Sequence, residues 1–194
     1  DRAKNVKKYE QPTPSVVYIG MDFNIDPMSA VVFAREGDIL YAIDEIEMYS
    51  SNTQEMVGEL QQRYSNSRIW VYPDPASRQR KTSAGGATDL TILQNAGFVV
   101  KAPNAHNPIR DGINAVNSRL RSANGDVKLF VDPKCKKLIE CLEKHSYKAG
   151  TTQPDKDGGF DHMADAMRYA VDYMFPVRRD IVEQAPQRWG HKTF

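Results

Sequence analysis

An α/β domain built on one mixed sheet with helices on its faces is the fold class the sequence predicts, on three observations. Residues 16 to 48 hold three apolar, β-branched runs separated only by short turns, which is the pattern of an antiparallel meander. Beyond residue 52 the pattern changes to helix alternating with short strand, the arrangement that places helices over parallel strands. The last periodic segment, near residues 161 to 175, carries a continuous apolar stripe at helical spacing.

Each element follows in order. "SVVYIGMD" reads as a strand and "NIDP" as a turn, and "MSAVVFAREGDILYAIDEIEM" reads as two strands whose hairpin falls at "REGD", where Gly37 permits the reversal. "SNTQEMVGELQQRYSNS" is helical, with Met56, Val57 and Leu60 on one face and a Ser or Thr expected as its cap. "RIWVYPDP" is a short strand stopped by two prolines, and the polar, Gly-rich "ASRQRKTSAGGAT" is a loop. A helix at "DLTILQNAG", a strand at "FVVKAP" and a helix over residues 109 to 122 come next. "VKLFVDP" is extended, and "PKCKKLIECLEKHSY" is helical with proline expected at its start. Three hairpin-linked strands followed by alternating helices and strands form a ribonuclease H-like mixed sheet: an antiparallel meander plus parallel strands, flanked by helices.

The 194 residues fit one domain. No apolar run approaches the roughly 20 residues that span a bilayer, so no membrane partner is expected. Two cysteines, Cys135 and Cys141, six apart in one helix, point in different directions, which suggests a reducing compartment. The polar, Lys-rich lead-in "DRAKNVKKYEQPTP" reads as a linker over residues 1–14, ahead of a domain at 15–176 and a C-terminal tail at 177–194. The net charge of +1 conceals an asymmetry: residues 1–75 carry −5, residues 76–148 carry +7 and residues 149–194 carry −1. A basic middle third suits a polyanion, although a solvated Lys-rich surface would look the same.

The acids are more specific. Asp22 closes an apolar strand, where an ionised carboxylate costs several kcal/mol, roughly, without a partner or cation. Asp74 lies between Pro73 and Pro75, a setting that a turn alone would explain. On the last helix Met163, Ala164, Met167, Ala170, Val171 and Met174 form the core stripe, and Asp161, His162 and Asp165 lie off it. Following Gly158, Gly159 and Phe160, Asp161 is placed to cap the helix; Asp165 lies one turn further in and shares a face with His162. Acids at two strand ends and one helix start converge only around something positive. Hard divalent cations answer to that description, Mg²⁺ preferring carboxylate oxygens and Mn²⁺ accepting imidazole more readily. Two such ions about 4 Å apart activate a water and stabilise in-line phosphoryl displacement.

"GMDFN", "YPDPA" followed by a basic stretch, and "DHMADAMRYAV", in this order, resemble the C-terminal nuclease domain of the large terminase subunit of tailed bacteriophages, over about residues 15 to 176. The resemblance implies a ribonuclease H-like nuclease that cuts concatemeric double-stranded DNA during packaging, by two-metal hydrolysis. Carried over by motif, Asp22 would bridge two Mg²⁺ or Mn²⁺ ions, Asp74 would hold one, and Asp165, assisted by His162, the other; Asp161 has no assigned role and is a further candidate ligand. Arg78, Arg80 and Lys81, directly after Asp74, are candidate phosphate contacts. The same resemblance implies an ATPase domain upstream, portal and small terminase subunit as partners, a monomeric isolated domain, and action in the host cytoplasm at the procapsid. No Walker-type loop is present, since "AGGATD" lacks the lysine. Rival readings are a junction resolvase or transposase core, and a catalytically silent DNA clamp or motor-docking module. An actin-like ATPase is disfavoured because "DFNIDPM" lacks the Gly and Thr of its phosphate loop.

Overall fold

The structure is a computed structural model of the 194-residue chain that describes residues 1–24, 26–74, 88–103, 107–151, 153–155 and 157–177. A short helix α1 (Arg2–Asn5) precedes strands β1 (Val16–Asp22), β2 (Met28–Glu36) and β3 (Ile39–Met48). Then come α2 (Thr53–Arg63), β4 (Arg68–Pro73), α3 (Asp89–Asn95), β5 (Val99–Val100), α4 (Ile109–Leu120), β6 (Leu129–Val131), α5 (Lys136–Lys144) and α6 (Asp161–Met174). The six strands lie in the order β5-β4-β1-β2-β3-β6. β1, β2 and β3 form the expected antiparallel meander, while β4 runs parallel to β1, β5 to β4, and β6 to β3.

β1 divides the molecule. Its odd residues Val17, Ile19 and Met21 enter a core shared with Met56 and Leu60 of α2 and Leu93 of α3. Its even residues face α6, which packs with α4 and α5 over Val31, Phe33, Tyr72 and Leu129. Gly20 makes that second packing possible: a Cβ there would come within 1.9 Å of the Ala166 carbonyl oxygen, so any side chain would lift α6 off the sheet. At its far end the helix is anchored by Phe175, whose ring lies 3.7 Å from the Arg119 guanidinium and 5.1 Å from that of Arg35.

Three local expectations are corrected. Helix α2 is capped by Asn52 rather than a Ser or Thr, in a reciprocal capping box with Glu55. Helix α5 begins at Lys136, three residues after Pro133, because its first N–H groups are met from the sheet: the Glu45 carboxylate accepts from Lys137 N at 2.9 Å and Leu138 N at 2.7 Å. Helix α6 has Phe160 at its N-cap and no side-chain cap bond, so Asp161 is its first helical residue and not its cap. An acid in that place is one position too late to accept as a cap does. Part of the lead-in, residues 1–9, lies against the β6 edge: Asn5 Nδ2 donates to the carbonyls of Leu120 (2.8 Å) and Leu129 (3.1 Å), and Tyr9 N donates to Asp132. Cys135 and Cys141 are buried free thiols. Among the described residues no helix is long and apolar enough to cross a membrane.

Candidate active site

The site grows from the register of two parallel strands. Met21 of β1 stands opposite Pro73 of β4, and Asp74 N donates to the Met21 carbonyl at 3.0 Å, so Asp22 and Asp74 leave the sheet side by side. Alternation puts both on the α6 side, because Tyr72 packs with the α6 core and Asp22 follows Gly20 by two. The close approach at Gly20 then brings the first turns of α6 over the ends of both strands.

Asp22 is 7% exposed. Burial pushes its carboxyl up to about 6; the charges of Asp165 and Asp74 add to the rise, and the hydrogen bond and charge of His162 oppose it. Two acids from different elements are therefore close enough to Asp22 to make its ionisation costly. His162 Nδ1 lies 3.1 Å from Asp22 Oδ2 and 2.8 Å from Asn24 Nδ2. That nitrogen can donate to the carboxylate or accept from the amide, not both at once. Its Nε2 lies 3.8 Å from Asp161 Oδ1, and Asp161 is 3% exposed.

The acids and the histidine thus come together, but with a pairing the spacing did not give. His162 turns to Asp22 and Asn24, while Asp165, three residues along the helix, is held by Arg168. Tyr169 is the other unanticipated neighbour: burial raises its hydroxyl above the ordinary range, and Asp165, Asp74 and Asp22 reinforce the rise. Sequence carried a signal for Arg168, an i, i+3 pair with Asp165, and none for Asn24 or Tyr169. Arg78, Arg80 and Lys81 lie outside the described residues.

Among the described residues no group of three or more His, Cys, Asp or Glu side chains is placed to hold a metal ion. A cavity of about 180 Å³ between α4, α6 and the segment after α5 has Asp165 and Arg168 in its wall, but neither Asp22 nor Asp74. Asp22 and Asp74 lie side by side at the end of the sheet instead. As residue types, carboxylates with an imidazole suit Mg²⁺ or Mn²⁺ better than a softer ion.

Acids at the ends of two adjacent parallel strands inside a mixed sheet, with a third on the last helix packed across them, define a ribonuclease H-like domain. The sequence matches the family model for the terminase RNaseH-like domain over residues 19–173, and the chain belongs to that family. No curated protein matches it. Among solved structures it is similar to the nuclease domain of the P22 large terminase, at 18% identity over 91% of this chain and 91% of that one, with a TM-score of 0.68. It is also similar to the large terminase of a thermophilic bacteriophage in complex with ATP-γ-S, at 20% identity over 90% of this chain and 44% of that one (TM-score 0.68). A third likeness is to the large terminase nuclease domain of bacteriophage SPP1 with bound Mn, at 16% identity over 81% and 85% (TM-score 0.55). At these identities the likeness is one of fold, and the chain spans less than half the length of the thermophilic phage protein.

Proposed function

We propose that this chain is a divalent-metal-dependent endonuclease that cuts concatemeric double-stranded DNA during the packaging of a phage genome. The observation that carries the reading is the placement of Asp22 and Asp74 side by side at the ends of two adjacent strands, with Asp165 on the helix packed across them; burial raises the Asp22 carboxyl, and the charges of Asp165 and Asp74 add to the rise. Membership of the terminase family and the manganese in the SPP1 domain support it. Asp22, Asp74, Asp165 and His162 would hold two Mg²⁺ or Mn²⁺ ions, with Asp161 as a further candidate ligand. When bound, such ions supply an activated water and neutralise charge on the displaced phosphodiester oxygen.

The chain's own residues do the rest. Asp22, gripped by His162, keeps a fixed orientation at the strand end. Asn24 offers the same imidazole nitrogen an alternative partner, taken when that nitrogen is the acceptor. Arg78, Arg80 and Lys81 would bind the backbone phosphates beside the cut without regard to sequence. Residues 1–14 would lead from an upstream ATPase domain, residues 177–194 would form a C-terminal tail, and portal and small terminase subunit would be partners of the whole protein in the host cytoplasm. Family membership favours packaging over the resolvase and transposase readings, which would use the same acids.

Plasmid cleavage tests the reading. The chain should nick and linearise plasmid with Mn²⁺ or Mg²⁺, stay silent in a chelator, and lose nearly all cleavage as Asp22→Asn or Asp165→Asn. Replacing Arg78, Arg80 and Lys81 together by alanine should reduce the salt slope of duplex binding by about 3, one for each lost contact. Cleavage that survives chelation, or an active Asp22→Asn variant, would overturn the proposal.

A further inference from the structure

Arg168 closes on one atom of the site. Its Nε and Nη2 lie 3.0 and 2.9 Å from the same oxygen, Asp165 Oδ1. Both side chains are largely buried, with exposures of 10% and 16%. Two charges out of water are tolerated only where geometry and further bonds are well satisfied, and here they are: the guanidinium lies 4.6 Å from the Tyr169 ring centre and hydrogen-bonds with that side chain.

The stem of Arg168 explains a residue that helix propensity disfavours. Gly112 stands inside α4, where glycine costs about 1 kcal/mol relative to alanine. A Cβ at that position would lie 2.9 Å from Arg168 Cγ and 3.0 Å from Cδ. The space a side chain would take is the space the arginine crosses. Both donors fall on Oδ1, so the grip fixes the orientation of the carboxylate.

We propose that Arg168 is a positioning residue for the site: it locks Asp165 through Oδ1 and so holds that carboxylate in the orientation a divalent cation would need, and Gly112 is the relief in α4 that admits it. The inference rests on the metal-nuclease reading. Its sign separates it from two simpler roles. A bystander positive charge weakens cation binding by repulsion, so its removal would tighten the site. A purely structural tie between α4 and α6 would change the melting temperature and leave metal affinity alone. Positioning requires that removal weaken binding although a repulsive charge has gone.

Calorimetric titration with Mn²⁺ alone decides among them, on the parent chain, Arg168→Ala, Arg168→Lys and Gly112→Ala, each checked for fold by circular dichroism and melting. The parent should bind Mn²⁺. Arg168→Ala should bind it about 10- to 100-fold more weakly, the cost usual for losing a partner that orients a metal ligand. Arg168→Lys keeps the charge but cannot place two planar donors on one oxygen, so it should recover only part of the loss. Gly112→Ala keeps the arginine and displaces its stem, and should fall between parent and Arg168→Ala. A parent that binds no Mn²⁺ sinks the metal reading and this inference with it. A parent that binds, beside an Arg168→Ala variant that binds equally or more tightly, sinks the inference alone; if Arg168→Ala does not fold, unchanged affinity in the other two variants does the same.

Discussion

The two faces of β1 follow different rules. On the odd face Val17, Ile19 and Met21 are fully buried against apolar side chains of α2 and α3, and the buried acid on that side, Asp89, lies at the start of α3 where Thr53 of α2 donates to it. On the even face Tyr18 is only partly buried, Gly20 has no side chain, and Asp22 is a buried acid. The odd face is filled by volume; the even face is kept thin so that a helix can approach and bring polar groups to the strand's end. One strand therefore supplies stability from one side and chemistry from the other. The same division recurs on β4, where Ile69 and Val71 join the α2–α3 core while Tyr72 and then Asp74 lie on the α6 side.

The sharpest way to break that comparison is to add volume to the thin face and remove it from the full one. Gly20→Val places its side chain against the backbone of Ala166, which cannot turn aside as a side chain would, so it should cost about 3 kcal/mol or more. Ile19→Ala leaves a cavity and should cost about 2–5 kcal/mol. The two losses are similar in size and should differ in kind. In thermal melts both fall. The Mn²⁺ affinity of the molecules still folded should be kept by Ile19→Ala and lost by Gly20→Val, because only the second moves α6 away from Asp22. Equal effects on metal binding would show that the two faces are not separable.

This division also marks what the sequence could reveal. The meander, the alternating helices and the stripe of α6 were legible because apolar periodicity is a local property that burial then enforces. The burial of Asp22 was legible because a carboxylate at the end of an apolar strand is costly wherever the strand is packed. The pairing within the site was not legible. Whether His162 meets Asp165, its neighbour on the helix, or Asp22 depends on the tilt of α6 over Gly20, a tertiary quantity. The grip of Arg168 depends on Gly112, a glycine on a different helix. Caps sit between these cases: the helix starts were found to within a few residues, but Asp161 was given a cap role that a shift of one residue removes, and the acid that meets the start of α5 comes from β3.

A gentler test sharpens the comparison from the side of charge, using the protein freed of metal by a chelator. In the folded chain the Asp22 carboxyl titrates at about 6, against 3.8 for the unconstrained group. The folded state thus holds a proton that the unfolded state has already lost between those values, and stability contributed by the protonated carboxyl is present in full below 3.8 and gone above 6. Asp22→Asn cannot ionise and should keep that stability at every pH. Two pKa units correspond to at most about 3 kcal/mol, so the variant should melt several degrees above the parent at about pH 8 and within a degree or two of it near pH 4. No such crossover should follow from Ile19→Ala, whose deficit is apolar and independent of protons. If the melting difference between Asp22→Asn and the parent were the same at both pH values, Asp22 would not be the strained carboxylate of the even face, and the cost of gathering the three acids would have to lie on Asp74 or Asp165.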